Sequence, residues 1–388
     1  MNKPESMKLD PDRNYSFKSP LKTFAVQQID SLGSFFFPRS VEPIPWNRIK
    51  RLAVLRLDHL GDVLLALPAL KALEESLPKA QIDLFLGPWA KDIPGLARLR
   101  CNVKIFYAPW FSRVKTNEGN WRSIRHLERV LREGAYDAAI ELRGDFRHIL
   151  AMANTGIKYR VGLARTGLGF LLTHRLEYQP GQHEIERNLE SLRQMGIEIS
   201  RKAKFPQLYP RKIDDLNQKK VRKKLGITHP VLAVHATCFA LAKRWPIASW
   251  AQLLDKLPKK IDVVLIGAES EKTDMETIQK ACRRKIFLTA GLLSLPELTA
   301  FLKKSKLFIG VDSGPAHIAA AVGIPVLSLY SGTNQKEQWG PMGSKVTVIQ
   351  KKPACSPCER LVCPIGNECM NLIRVDEVLK QVERILNN

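Results

Sequence analysis

The sequence predicts an α/β chain built from two doubly wound, Rossmann-like domains with parallel sheets. Three observations carry this. From Arg51 onward, short aliphatic runs alternate with helical stretches, the pattern of parallel strands covered by helices on both faces. The alternation comes as two series, separated by the charged stretch 211–224. Each series also holds a polar strand–turn–helix motif, and open parallel sheets bind their ligands at strand carboxyl ends.

Residues 1–46 read as an extension before the first domain. Within it Leu21, Ala25, Ile29, Leu32, Phe35 and Phe36 fall near helical spacing, ending in Phe35-Phe36-Phe37-Pro38. This suits an amphipathic helix, lying either on a membrane surface or on the body of the protein. Its weak basic content favours the second. The first domain is placed at 47–210, with a strand at 51–57, a helix at 63–77 carrying Pro68 in its early turns, and strands at 82–86, 103–107 and 136–142. An inter-domain linker is expected at 211–226. The second domain, 227–388, has strands at 231–235, 263–266, 286–288, 307–311 and 326–330. It ends in a cysteine-rich tail and a helix at 375–386.

At 388 residues the chain can fill two domains with full cores. Its 45% hydrophobic and 26% charged content is that of a globular protein rather than a disordered one. No run reaches the roughly 18 apolar residues of a transmembrane helix, and no secretory signal pattern opens the chain. A cytoplasmic protein with mostly reduced cysteines is therefore expected. The net charge is +23, and residues 91–230 hold 28 Lys/Arg against 14 Asp/Glu, whereas residues 231–350 hold 15 against 9. Such a surplus serves either an acidic partner or simple solubility. Nucleic acid is not expected as that partner, because no binding module is present and the basic residues lack interleaved aromatics.

Four stretches could carry chemistry. Asp312-Ser313-Gly314-Pro315-Ala316-His317 follows an apolar run and opens a helix at Pro315. Such a turn aims backbone N–H groups and a helix dipole at a bound anion. Gly61-Asp62 follows the first strand; Asp62 either caps the next helix or acts as general base on a hydroxyl. Thr237-Cys238 with Lys243-Arg244 lies at another strand end and could hold a diphosphate, or be a surface basic pair. Ile266-Gly267-Ala268-Glu269 ends a strand with a carboxylate where nucleotide-binding folds receive ribose hydroxyls. Separately, Cys355, Cys358, Cys363 and Cys369 could ligate structural zinc. Their spacing is short for a zinc ribbon, so no metal is assigned and reduced structural thiols or adventitious disulfides are preferred.

Several of these motifs occur together. Leu60-Gly61-Asp62-Val63-Leu64 precedes Leu67-Pro68-Ala69-Leu70, and Asp312–His317 precedes Ala319-Ala320-Ala321. Gly323-x-Pro325, Tyr330-Ser331-Gly332-Thr333, Trp339-Gly340-Pro341 and Cys369-Met370 follow in order. In this combination the chain resembles glycosyltransferase family 9, the bacterial heptosyltransferases of lipopolysaccharide core assembly, over about residues 50–386; residues 1–46 have no counterpart.

The resemblance implies the GT-B fold, two Rossmann-like domains facing a cleft. It also implies an inverting, metal-independent glycosyltransferase that needs no cofactor beyond a nucleotide-sugar co-substrate, expected to be ADP-heptose. Asp62 would be the base. Lys243 and Thr237 would hold the diphosphate with Asp312, Ser313, Gly314 and His317, and Glu269 would contact the nucleotide. Cys238 stands where some relatives carry a second Thr, which removes one phosphate hydrogen bond. Asp58-His59 replaces a stretch often rich in Ser or Thr. The acceptor would be an anionic, lipid-linked inner-core oligosaccharide, met by Gly61, Arg143, His183, Arg187 and Asn188 on the basic first domain. Its place would be the cytoplasmic face of the inner membrane, with peripheral membrane contact. The rivals are a same-fold transferase using another nucleotide sugar, and a non-catalytic nucleotide-sugar or nucleic-acid binder.

Overall fold

β1 (Arg51–Arg56) is buried at every position after its first, as a central parallel strand covered on both faces must be. With β2 (Gln81–Leu86), β3 (Asn102–Ile105), β4 (Ala138–Glu141), β5 (Tyr159–Gly162) and β6 (His174–Arg175) it forms a sheet in the order β3-β2-β1-β4-β5-β6. The second sheet holds β7 (Val231–His235), β8 (Asp262–Leu265), β9 (Ile286–Leu288), β10 (Leu307–Val311), β11 (Val326–Tyr330) and β12 (Val346–Gln350). Its order is β12-β11-β10-β7-β8-β9. All pairings in both sheets are parallel. Counted from its own first strand, each sheet has the order 3-2-1-4-5-6 of the doubly wound dinucleotide-binding fold. The crevice of such a sheet lies where the order reverses, between β1 and β4 in one and between β7 and β10 in the other.

The computed structural model describes residues 15, 19–37, 42–112, 120–199 and 205–387; most of the expected extension before residue 19 lies outside them. The chain divides into two units, 1–94 with 99–204, and 95–98 with 205–388. The stretch expected as a linker, 211–226, is instead the Lys212–Leu225 helix of the second unit, which packs on the Leu295–Lys303 helix. Arg211 and Asp214 close its first turn, and Gly226 ends it in the left-handed region. Its partner face includes Arg222, whose guanidinium lies 4.7 Å from the Phe301 ring. Seven of the 28 cations in 91–230 therefore belong to this stretch rather than to the first unit.

Three strands were not expected: β5, β6 and β12. β6 has two residues, and β5 reads Tyr-Arg-Val-Gly, with too few apolar positions to stand out. β12 is an edge strand, half-exposed along most of its length. The helix after β1 begins at Leu60 rather than 63, so Pro68 sits in its middle, and every residue from Val63 to Leu70 is buried. That helix packs against the Glu184–Gln194 helix.

The core of the second unit is anchored by a pair of tryptophans. Trp245 and Trp250 meet edge to face with centroids 5.0 Å apart, and the Trp245 indole N–H donates to the Ile373 carbonyl at 3.0 Å. Trp250 is fully buried in a cluster that also takes Val378 and Val382 from the terminal helix Val375–Asn387. Trp250→Ala should therefore lower unfolding stability by about 3–5 kcal/mol. Chemical denaturation followed by circular dichroism checks this, and an unchanged midpoint would refute the anchor.

Candidate functional site

In the first unit the site grows from the carboxyl end of β1. Arg56, at the strand's end, is 1% exposed. Its guanidinium donates to the carbonyls of Leu142 (3.1 Å) and Asp62 (3.2 Å) and lies 3.3 Å from the Asp58 carboxylate and 3.6 Å from Glu184. The chain then turns at His59, whose backbone N–H donates to the Asp62 carboxylate at 3.2 Å. Asp62 thus does cap the helix, and the residue is partly buried. Arg143, beyond the end of β4, bonds the other oxygen of Asp58 at 3.2 Å, with its guanidinium 4.6 Å from the Phe111 ring. β1 and β4 are the two strands that flank the switch point.

This grouping sets the acidity of Asp62. Burial raises its carboxyl, the neighbouring Asp58 raises it further, and Arg56 and Arg143 pull the other way; the outcome is about 7. A carboxyl poised there can take a proton near neutral pH and give it up again. Arg56 and Arg143 are both held above their ordinary value; burial opposes their charge, and the carboxylates of Asp58 and Asp62 outweigh it.

The remaining acceptor-side candidates divide. Gly61 lies beside Asp62 in the helix's first turn. His183 caps the Glu184–Gln194 helix, its Nδ1 accepting from the Ile185 N–H at 3.2 Å. Arg187 is buried; it pairs with Glu184, and its guanidinium lies 4.3 Å from the Tyr178 ring. Asn188 is buried too, its amide donating to the Glu184 carbonyl at 2.8 Å. These two brace Glu184 instead of presenting themselves to a ligand. Glu184 itself was not foreseen, because a lone Glu in the first turn of a helix carries no signal in sequence.

In the second unit the site lies at the ends of β7 and β10. The Ser313 hydroxyl is 2.9 Å from Nδ1 of His235, and Nε2 of His235 is 3.4 Å from Glu271. The Thr237 hydroxyl donates to Glu271 at 2.7 Å, and the Ala268 N–H does so at 2.9 Å. Burial works to raise the Glu271 carboxyl, but His235, the Ala268 N–H and the Thr237 hydroxyl together bring it down to about 2. Lys243 donates to Asp312 at 2.5 Å, and the Asn334 amide donates to the same oxygen at 2.9 Å. Ser313 is the N-cap of the Gly314–Ala321 helix, with Gly314 half-exposed and His317 buried one turn in. Pro315 has no N–H and the Ala316 N–H donates to the Ser313 carbonyl at 3.1 Å, which leaves Gly314 as the donor that opens the helix.

Two further candidates lie as follows. Glu269 is 70% exposed and 3.6 Å from Lys272; Glu271, two residues on, is the carboxylate joined to Thr237. Cys238 turns its thiol inward to the Ala240 carbonyl at 3.1 Å, and burial pushes it up to about 11. The tail cysteines are free thiols, Cys355 exposed and Cys369 buried, and among the described residues no three His, Cys, Asp or Glu are arranged to hold a metal.

Known proteins match this chain along most of its length. The family described as Glycosyltransferase family 9 (heptosyltransferase) matches residues 124–368. Lipopolysaccharide heptosyltransferase 3 of Escherichia coli is 28% identical over 71% of this chain and 81% of its own. A glycosyl transferase family 9 structure from Veillonella parvula superposes with TM-score 0.78 at 19% identity, covering 90% of this chain and 99% of that one. The E. coli ADP-heptose lps heptosyltransferase II structure gives 0.68 at 21% identity, covering 87% and 98%. These similarities bear out the GT-B fold expected from the motifs. With the family match spanning well over half its residues, the chain belongs to glycosyltransferase family 9 and is a glycosyltransferase.

Proposed function

We propose that this glycosyltransferase moves heptose from ADP-heptose to a lipopolysaccharide core acceptor, with inversion and without a metal. The names of its relatives support the donor and acceptor. One observation carries the mechanism: a partly buried aspartate at a sheet switch point, its carboxyl raised to about 7. In this reading Asp62 takes the proton of an acceptor hydroxyl as that oxygen attacks the anomeric carbon. The bond from that carbon to the diphosphate breaks on the opposite face, so configuration inverts and no covalent intermediate forms. The departing diphosphate then carries the charge. Lys243 and the start of the Gly314–Ala321 helix, with the Gly314 N–H, receive it, a task that a metal performs in other enzymes. Thr237, Asp312, Ser313 and His317 belong to this donor side. Glu271 joins them through Thr237, in place of Glu269, as the carboxylate nearest the donor contacts. Arg143 is the acceptor-side cation best placed beside the base.

Asp62→Asn should abolish transfer, assayed with ADP-heptose and a truncated core acceptor in EDTA, while donor affinity by calorimetry stays within about twofold. Turnover by this variant would remove the base assignment; loss of wild-type activity in EDTA would remove metal independence. The active form of the base is the ionised one, so kcat/KM should rise with pH and level off above about 7. Asp58→Asn takes away a carboxylate that holds Asp62 up, so that limb should move to lower pH; a limb that stays in place would show that Asp62 does not govern it. Lys243→Ala should weaken donor binding and cut kcat by about a hundredfold, the scale of losing one charge-stabilising donor. Unchanged donor affinity would count against its phosphate contact.

A further inference from the structure

The Pro20–Phe36 helix is turned the opposite way from an ordinary surface helix, which buries its apolar stripe and exposes its polar one. Its two buried residues are Thr23 and Asp30. The Asp30 carboxylate accepts from the Leu168 N–H at 2.7 Å and from the Tyr15 hydroxyl at 2.5 Å. Gly33 lies so close to Phe170 that a side chain there would overlap the ring, and Val26 has the same relation to Gly167. At roughly 100° per residue, Thr23, Val26, Asp30 and Gly33 share one side of the helix, the side fixed to the first unit. Leu21, Phe24, Ile29, Leu32, Phe35 and Phe36 fall within about 140° on the other side. They are 49–81% exposed. Gln28 is the one exposed polar side chain inside this arc, and a largely apolar face of this kind marks an interaction surface.

We propose that this face docks the enzyme on an anionic phospholipid bilayer, the helix lying in the interfacial layer with its aromatic and aliphatic side chains among the acyl chains. The charge of the whole protein selects this occupant, since the helix itself is weakly basic and already packs on the first unit by its other side. The helix has a single carboxylate, Asp30, which is buried, and a single cation, Lys22, which is exposed. Its outer surface therefore carries no negative charge. A second copy of this chain would bring the same +23 and repel the first, whereas an anionic lipid surface attracts it and accepts the apolar stripe. The proposal deepens the functional reading and rests on it in one respect: a lipid-linked acceptor lies in the same membrane plane.

The test pairs the wild type with the triple variant Leu32→Gln, Phe35→Gln, Phe36→Gln. All three side chains face outward, and Gln keeps good helix propensity. Sedimentation with vesicles of equal parts phosphatidylethanolamine and phosphatidylglycerol should carry down the wild type, with the variant's affinity lower by about tenfold or more. Transfer to a delipidated, water-soluble acceptor should be equal in the two proteins. The proposal is overturned if the wild type stays in the supernatant or if the variant binds vesicles equally well. A wild-type dimer by light scattering that the variant dissolves would overturn it too, by naming a second copy as the occupant. Should neither protein transfer heptose while vesicle binding still separates them, the docking surface stands and the heptosyl reading falls.

Discussion

Arg56 is a charged side chain kept almost wholly out of water at the end of a central strand, and much of the first unit's site follows from holding it there. An unpaired ion in that position would cost several kcal/mol even after relaxation. Asp58, Glu184 and two backbone carbonyls supply the compensation. Glu184 is within reach only because its helix packs along the Leu60–Ser76 helix, so helix packing and charge compensation are one requirement. The carboxylates gathered around Arg56 also face one another. Asp62 stands among them, and its raised pKa follows from burial first and from Asp58 second. A base tuned to neutral pH thus emerges from the way a buried cation is satisfied.

The second unit has the same strand order and the reverse electrostatics. At the end of β7, Glu271 is surrounded by donors and kept ionised far below neutral pH. A carboxylate so firmly charged cannot serve as a proton acceptor at working pH. It can orient hydroxyl and imidazole groups, and Thr237 and His235 are both bound to it. Two sheets of one topology push carboxylates in opposite directions, and in the proposed reaction this separates proton transfer from donor binding.

Much of this was legible in the sequence. Strand–turn–helix motifs are local, and Gly61-Asp62 and Asp312–His317 announced themselves by a polar turn wedged between apolar runs. Both fall at switch points because parallel topology leaves few other places for a ligand. The misses are equally physical. β5 and β6 are too short to show a period, and β12 is only half-covered. The 211–226 stretch has so many cations that it read as a linker, although Asp214, Gly226 and an inward Arg222 make it a packed helix. Choosing Glu271 over Glu269 needs the knowledge that a turn beginning at Ala268 swings the nearer side chain out to solvent and folds the farther one back. The network around Arg56 joins residues up to 128 positions apart, and no local pattern records it.

The Lys243–Asp312 pair bears on how a diphosphate is received. A lysine intended for phosphate carries up to about 2 kcal/mol of side-chain rotamer entropy, part of which is lost when a ligand fixes it. Asp312 removes some of that cost beforehand, and Asn334 holds Asp312 in turn. The arrangement has an opposing consequence, because the carboxylate that positions Lys243 also offsets its charge and faces any incoming anion. The Gly314 N–H, which opens the Gly314–Ala321 helix, and the helix dipole behind it add attraction that Asp312 does not cancel. In the proposed reaction the donor is then held by the lysine and the helix start together. The lysine responds further where charge grows during bond breaking, as the leaving diphosphate becomes a stronger acceptor than Asp312 and draws the ammonium across. A cation shared in this way favours the transition state over the bound donor, which is the condition for catalysis rather than mere binding.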